Sequence, residues 1–244
     1  HFDYDHTFGG VHHVTGMLLG NMYTTTASGQ YHRYTNANLG LQAGYDFMGK
    51  YFADISVAGV HSSRLPEGAR EAISPTFTLG WNLAKESFLK NSFVDDLLLS
   101  GSYSDVNEDA DVYLGNNNYY LYTAVWDDAG SGFTWNEGTT APLTYSKTGA
   151  NPVLDYIHRK EIAVSLRGSF FKNLISADLT FFNTKMTGYI VQNPTTYPSF
   201  LSTGNSGSSF KPALNNDATL RRGLDFSVTA KKQFGKVFAQ LGVV

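Results

Sequence analysis

The sequence predicts an all-β chain, a transmembrane antiparallel β-barrel present here in part. Three observations predict it. Apolar and polar residues alternate with a period of two, and the links between alternating stretches run short and long by turns. No stretch reaches the roughly 18 to 20 uninterrupted apolar residues of a membrane-spanning helix. A chain that meets lipid without such a helix must do so as a closed barrel, because hydrocarbon offers no partner to a bare backbone. Composition agrees: 15 Tyr, 17 Phe and 24 Gly in 244 residues favour strands and tight turns, and only 16% of residues are charged.

Strands are expected at 2–8, 11–26, 37–47, 51–63, 73–84, 95–105, 158–171, 174–191, 221–234 and 237–244. The alternation is plainest in four of them. Leu39, Leu41, Ala43, Tyr45 and Phe47 are separated by Gly40, Gln42, Gly44 and Asp46. Pro75, Phe77, Leu79, Trp81 and Leu83 are separated by Thr76, Thr78, Gly80 and Asn82. Ile162, Val164 and Leu166 alternate with Ala163, Ser165 and Arg167, and Leu224, Phe226 and Val228 with Asp225, Ser227 and Thr229. Such a pattern places all apolar side chains of a strand on one face. Gly9-Gly10, Met48-Gly49-Lys50, Lys172-Asn173 and Gly235-Lys236 read as tight turns, and 85–94 falls on the short side of the rhythm. Between them lie polar links at 27–36, 64–72, 106–157 and 192–220. Short turns at one end and long loops at the other are what an outer-membrane barrel requires. Aromatics beside the tight turns (Tyr45, Phe47, Tyr51, Phe52, Phe170, Phe171, Phe234, Phe238) are expected to form an interfacial girdle. The rival is a soluble β-sandwich, in which the same apolar face would lie against a second sheet.

Several classes fall away. With a net charge of −3 and no run of Lys or Arg, a nucleic-acid partner has no electrostatic basis. With no Cys, thiolate metal sites, thiol catalysis and disulfides are excluded. About ten strands that start and finish open are expected to be a piece of a larger barrel, because an unpaired edge in lipid is costly.

From residue 64 the sequence resembles one family. Arg64-Leu65-Pro66-Glu67-Gly68-Ala69-Arg70, followed by the run Ser74-Pro75-Thr76-Phe77 through Gly80-Trp81 to Glu86-Ser87-Phe88-Leu89, is similar to a hairpin of the SusC/RagA transporters. The next family strand is matched by Leu97–Asn107, with Ser100-Gly101-Ser102-Tyr103 at its centre. Ala150-Asn151-Pro152-Val153-Leu154 resembles the family's entry to the following hairpin. Phe181–Ile190 and Arg222-Gly223-Leu224-Asp225-Phe226 follow in family order, and Phe2–Gly9 also fits. Ser74 stands where the family has Phe, Ser104-Asp105-Val106 replaces Gly-x-Thr, and Tyr156 stands where Trp is usual.

The resemblance implies a barrel of about 22 strands around a plug domain, with residues 1–244 its carboxy-terminal part and the plug and remaining strands outside them. It implies import of a glycan or peptide, a SusD-like surface lipoprotein as lid, and coupling to TonB through the plug. The alternatives are a passive substrate-selective channel and, further off, a barrel enzyme.

Candidate sites follow from chemistry. The 106–157 link carries Tyr113, Tyr119, Tyr120, Tyr122, Trp126, Phe133 and Trp135 among Asn and Asp, rings that can stack on sugars or peptide side chains or pack against a lid. Tyr197 and Phe200 offer a weaker version. Arg167, Asp178, Lys185, Arg222 and Asp225 are expected to face the lumen or hold the plug, because a Lys or Arg facing lipid near the midplane costs about 2 to 4 kcal/mol. No cofactor or metal is expected. Asp105, Asn107 and Asp109 have the two-residue spacing of a calcium loop, but Ala110 and Asn116 replace its turn glycine and bidentate Glu, so a solvated acidic loop is the better reading. His12 and His13 point to opposite faces of a strand and share no ion. Asp155, His158 and Glu161 could form an acid–base group, but no hydrolase motif accompanies them and loop anchoring is expected.

Overall fold

Ten of the strands lie side by side in nearly the order in which they occur in the chain. The computed structural model describes residues 1–26, 33–89, 93–109, 120–128, 133–135, 138–141, 144–191, 212–234 and 237–243. Its main sheet runs β1 (Phe2–Phe8), β2 (His12–Thr26), β3 (Arg33–Phe47), β4 (Tyr51–Ser62), β5 (Glu71–Asn82), β6 (Val94–Glu108), β11 (Ile157–Phe170), β12 (Ile175–Val191), β13 (Leu214–Phe234) and β14 (Val237–Val243). Every neighbouring pair is antiparallel. The link from β6 to β11 holds four short strands: β7 (Val125–Asp128), β8 (Phe133–Trp135), β9 (Thr139–Ala141) and β10 (Thr144–Thr148). They pair as β7 with β10 and β8 with β9. The expected unbroken polar link at 106–157 is thus corrected. Its first residues extend β6, and small sheets form inside it.

Half of the ten strands also run further toward the long-loop end than alternation suggests. β13 begins at Leu214 rather than 221, and β3 at Arg33 rather than 37. The added residues, such as Asn215, Asp217 and Thr35, are polar on both faces yet keep pairing with β12 and β2. Ladder hydrogen bonds continue beyond the height at which one face must be apolar, so hydropathy loses the strand before the backbone does.

Register fixes the two faces. Leu18, Leu41, Val57 and Pro75 lie in one row across β2 to β5, and Leu99, Leu166, Leu179 and Phe226 in another across β6 to β13. These apolar rows are open: Leu41 is 57% exposed and Phe226 56%. Nothing among the described residues covers them, where a sandwich would set a second sheet. The apolar face is the outer one, and the opposite face carries Gln42, Asp54, Thr78, Ser100, Ser165 and Asp178.

At the short-turn end, aromatics gather on the outer face. The rings of Phe47 and Tyr51 are stacked, as are those of Tyr51 and Trp81, and Phe93 stacks on Phe171. Phe52 and Phe238 are corrections to the expected girdle. Phe52 pairs with Asp46 and Gly80, and Phe238 with Gln233, which puts both on the inner face. The turns are held in left-handed conformations. Gly9 and Gly10 supply two of them, and Phe171, Lys172 and Asn173 adopt φ near +60° in succession. Non-Gly residues there cost about 1 to 2 kcal/mol each. The strain is offset by the stacked Phe93 ring, a Phe171 N–H donated to the Phe93 carbonyl (2.9 Å), and an Asn173 N–H donated to the Asp95 carboxylate (2.9 Å).

The buried core lies at the other end, under the long loops. Leu65, Leu154 and Ile157 are wholly buried, with Leu121, Tyr156, Ile190 and Ala213 beside them. Membrane strands need no core of their own; segments standing in water do.

Candidate functional site

Two places near the long-loop end combine polar chemistry with open space: the loop root and the inner face beneath it. The root is fixed by hydrogen bonds from side chains to backbone. The Asn151 amide donates to the Ala213 carbonyl (2.7 Å), and the Asn215 amide donates to the Asp155 and Gly188 carbonyls (both 2.8 Å). The Tyr156 hydroxyl donates to the Arg70 carbonyl (2.6 Å), and burial, with Asp109 and Glu71 nearby, holds its phenol well above the ordinary range. These bonds bind four chain segments that are far apart in sequence.

The loop aromatics divide. Tyr113, Tyr119, Tyr197 and Phe200 lie outside the described residues. Tyr120 is committed to the root: its hydroxyl donates to the Arg33 carbonyl (3.1 Å), and its ring lies 5.8 Å from that of Tyr34 and 5.5 Å from that of Tyr122. Tyr122 packs against the buried cluster. Trp126, on β7, is 62% exposed and is free to meet another molecule. Phe133 and Trp135 sit on β8, in the hairpin with β9.

Beneath the root, the inner face of β11, β12 and β13 forms an open groove of about 500 Å³ lined by both charge signs. Arg159 donates to Glu161 (2.8 Å), and the Thr184 hydroxyl donates to the same carboxylate (2.8 Å). Arg221 and Asp225 also line it, and among the described residues neither forms an ion pair. Its floor is shaped by Gly223, where a Cβ would come within 2.7 Å of the Phe182 ring. Further along the same face, Arg167 donates to Asp178 at 2.6 Å.

The five expected lumen residues therefore split. Arg167, Asp178 and Asp225 lie on the inner face. Lys185 and Arg222 do not. Lys185 stands opposite Lys160 and Leu220, and Arg222 opposite Asn183, on the face that carries Ile162, Phe181 and Leu224. The cause is parity: Lys185 has the parity of Phe181, and Arg222 that of Leu224, so the alternation itself assigns them outward. The same rule would have found Arg221, Arg159 and Glu161 as the inner charges.

Other expectations resolve by geometry. Asp105 lies within β6 and pairs with Lys160 (3.3 Å). Asn107 donates to the Ser74 hydroxyl and the Ile73 carbonyl, and Asp109 accepts from Asn36 (3.2 Å). The three are strand-end residues with separate protein partners. His12 binds Tyr45 on the outer face and His13 binds Asp5 on the inner. His158 and Glu161 fall on opposite faces of β11, so the imagined acid–base group is not assembled. Asp155 anchors the loop.

No family model matches the chain, and no curated protein matches it. Solved structures do. A structure of the RagAB peptide transporter is similar over 98% of this chain, with a TM-score of 0.74 at 17% identity. The RagAB peptide importer in its open-open state gives 0.75 at 17% identity. The fold is that of part of a β-barrel wall. The siderophore receptor PirA from Pseudomonas aeruginosa is similar at a TM-score of 0.57 and 11% identity, over 98% of this chain and 41% of its own. The chain spans 28% of the length of the RagAB chains it matches. Within that barrel wall the open apolar rows are the lipid side, and the groove opens on the interior.

Proposed function

We propose that the chain is the carboxy-terminal part of the barrel domain of an outer-membrane importer of the SusC/RagA type, one that takes up peptides. The observation that carries this reading is the interior groove. A peptide presents carboxylates, ammonium groups and a train of amides, and the groove offers Arg221 and Asp225, which among the described residues form no ion pair, beside the Arg159–Glu161 pair. A glycan would be better served by exposed rings, and two of the loop tyrosines, Tyr120 and Tyr122, are already packed. The peptide named with the RagAB structures points the same way.

In this reading a plug domain outside these residues fills the interior and couples to TonB. A SusD-like lipoprotein sits over the loop end, where Trp126 is free to meet it, and the root keeps the loops in place while the lid moves. The protein binds and passes its cargo without chemistry, in keeping with the separation of His158 from Glu161.

The test is uptake of labelled oligopeptides and oligosaccharides by cells carrying the full-length protein, with and without a collapsed inner-membrane proton gradient. Gradient-dependent entry of peptide, reduced by Arg221→Ala, is expected. Entry that persists without the gradient would make the protein a passive channel, and entry of oligosaccharide alone would overturn the peptide assignment.

A further inference from the structure

The two cations that the alternation places outward are joined by a third. Asp105, Lys160 and Lys185 stand in one row across β6, β11 and β12, and Arg222 on β13 lies diagonally beside Lys185. All three cations are exposed. Lys160 is ion-paired to Asp105 (3.3 Å), and Arg222 donates to the Asn183 amide oxygen (3.1 Å). Among the described residues Lys185 has no ion-pair partner. Like charges directly opposite on neighbouring strands repel, so Lys160 and Lys185 ask for an anion between them.

Their height says where that anion comes from. Lys160 is ten residues from Phe170, which marks the short-turn girdle on the same strand. Ten residues at about 3.3 Å span roughly 33 Å, and a strand tilt near 40° makes this about 25 Å of height. That equals the height of the apolar band, about 25 Å. The cations therefore stand at the far edge of the hydrocarbon, at the level of the headgroups on the long-loop side. On β4 and β5 the corresponding outer positions hold His61 paired with Glu71 instead.

We propose that Lys160, Lys185 and Arg222 form a lipid-side site for the phosphate of a phosphorylated glycolipid in the outer leaflet. The inference rests on the outer-membrane reading. The fork of Arg222 and the two ammonium groups supply charge-assisted donors to phosphate oxygens, while Val164 and Leu224 below them meet the acyl chains.

The experiment uses the full-length protein in phosphatidylcholine nanodiscs doped with bis-phosphorylated lipid A or with its dephosphorylated form, and measures the lipid retained with the protein by mass spectrometry. Wild type is expected to retain the phosphorylated lipid selectively. Affinity should fall about fivefold per cation and about a hundredfold in the combined K160Q/K185Q/R222Q variant. The K160R/K185R variant, which keeps charge, should keep selectivity. Equal retention of the two lipids by wild type would overturn the site, as would unchanged affinity in the triple variant or displacement by millimolar inorganic phosphate alone. These results in a protein that still inserts as a heat-modifiable barrel leave the barrel reading standing; a wild-type chain that does not insert overturns both.

Discussion

The two ends of this wall are held by different physics. At the short-turn end the chain reverses in three or so residues, accepts left-handed backbone at Phe171, Lys172 and Asn173, and braces itself with rings on the lipid side. At the long-loop end the same strands rise into water and meet a small buried core, in which Leu65 and Leu154 are fully enclosed and amides satisfy backbone carbonyls. One end is anchored from outside by the membrane, the other from inside by packing. Substitutions should therefore act at one end without reaching the other, because the strands between them draw stability from ladders and lipid.

The largest break is expected from Leu154→Ala. Removing a fully buried leucine costs about 2 to 5 kcal/mol, and the loss should appear as rapid proteolysis of the loops in a barrel that still shows heat-modifiable migration. Leu79→Ala on the open outer face should leave loop protection unchanged. Next is Asn151→Ala, which strands the buried Ala213 carbonyl at a cost of about 1 to 3 kcal/mol, read as faster hydrogen exchange at Gly188 to Val191 and at Ala213. At the opposite end Lys172→Gly should stabilise by about 1 kcal/mol, since glycine accepts the left-handed turn freely; a raised urea midpoint with unchanged loop proteolysis would sharpen the contrast.

The smallest effect is a division of pH dependence between the ends. The Tyr156 phenol is raised from its ordinary value of 10.0, so its contribution is intact below that value and is lost as pH climbs above it. The Glu86 carboxyl is lowered from 4.5, chiefly by the Tyr51 hydroxyl and the Trp81 indole N–H, so its contribution is present above that value and is lost as pH falls below it. Loop proteolysis should rise on the alkaline side, and Trp81 fluorescence should change on the acid side. Glu86→Gln should abolish the acid change alone.

Much of the wall was legible because lipid imposes a rule that sequence displays. Where a strand must be apolar on one face, as at Leu39 to Phe47 or Ile162 to Leu166, alternation located it and its rows. Where the strand left the lipid, as at Asn215 to Thr219, the rule lapsed and the strand was hidden. At Lys185 and Arg222 charge argues for the interior and parity for the outer face, and the register follows parity. The root was the least legible part, because its bonds join segments remote in sequence. Two departures from the family pattern turn out to be bonded there. Ser74 accepts from the Asn107 backbone N–H (3.0 Å), and Tyr156 reaches the Arg70 carbonyl.

Strand order also sets a timetable for assembly. Three residues separate β3 from β4, whereas residues 109–156 stand between β6 and β11, so bringing that pair together costs about 2 to 3 kcal/mol more in chain entropy. Hairpins on either side are ready to zip first, and the β6–β11 seam is the late step. Pulsed hydrogen exchange during refolding into detergent should find the amides along Tyr103 and Ile162 protected after those along Tyr45 and Ala53.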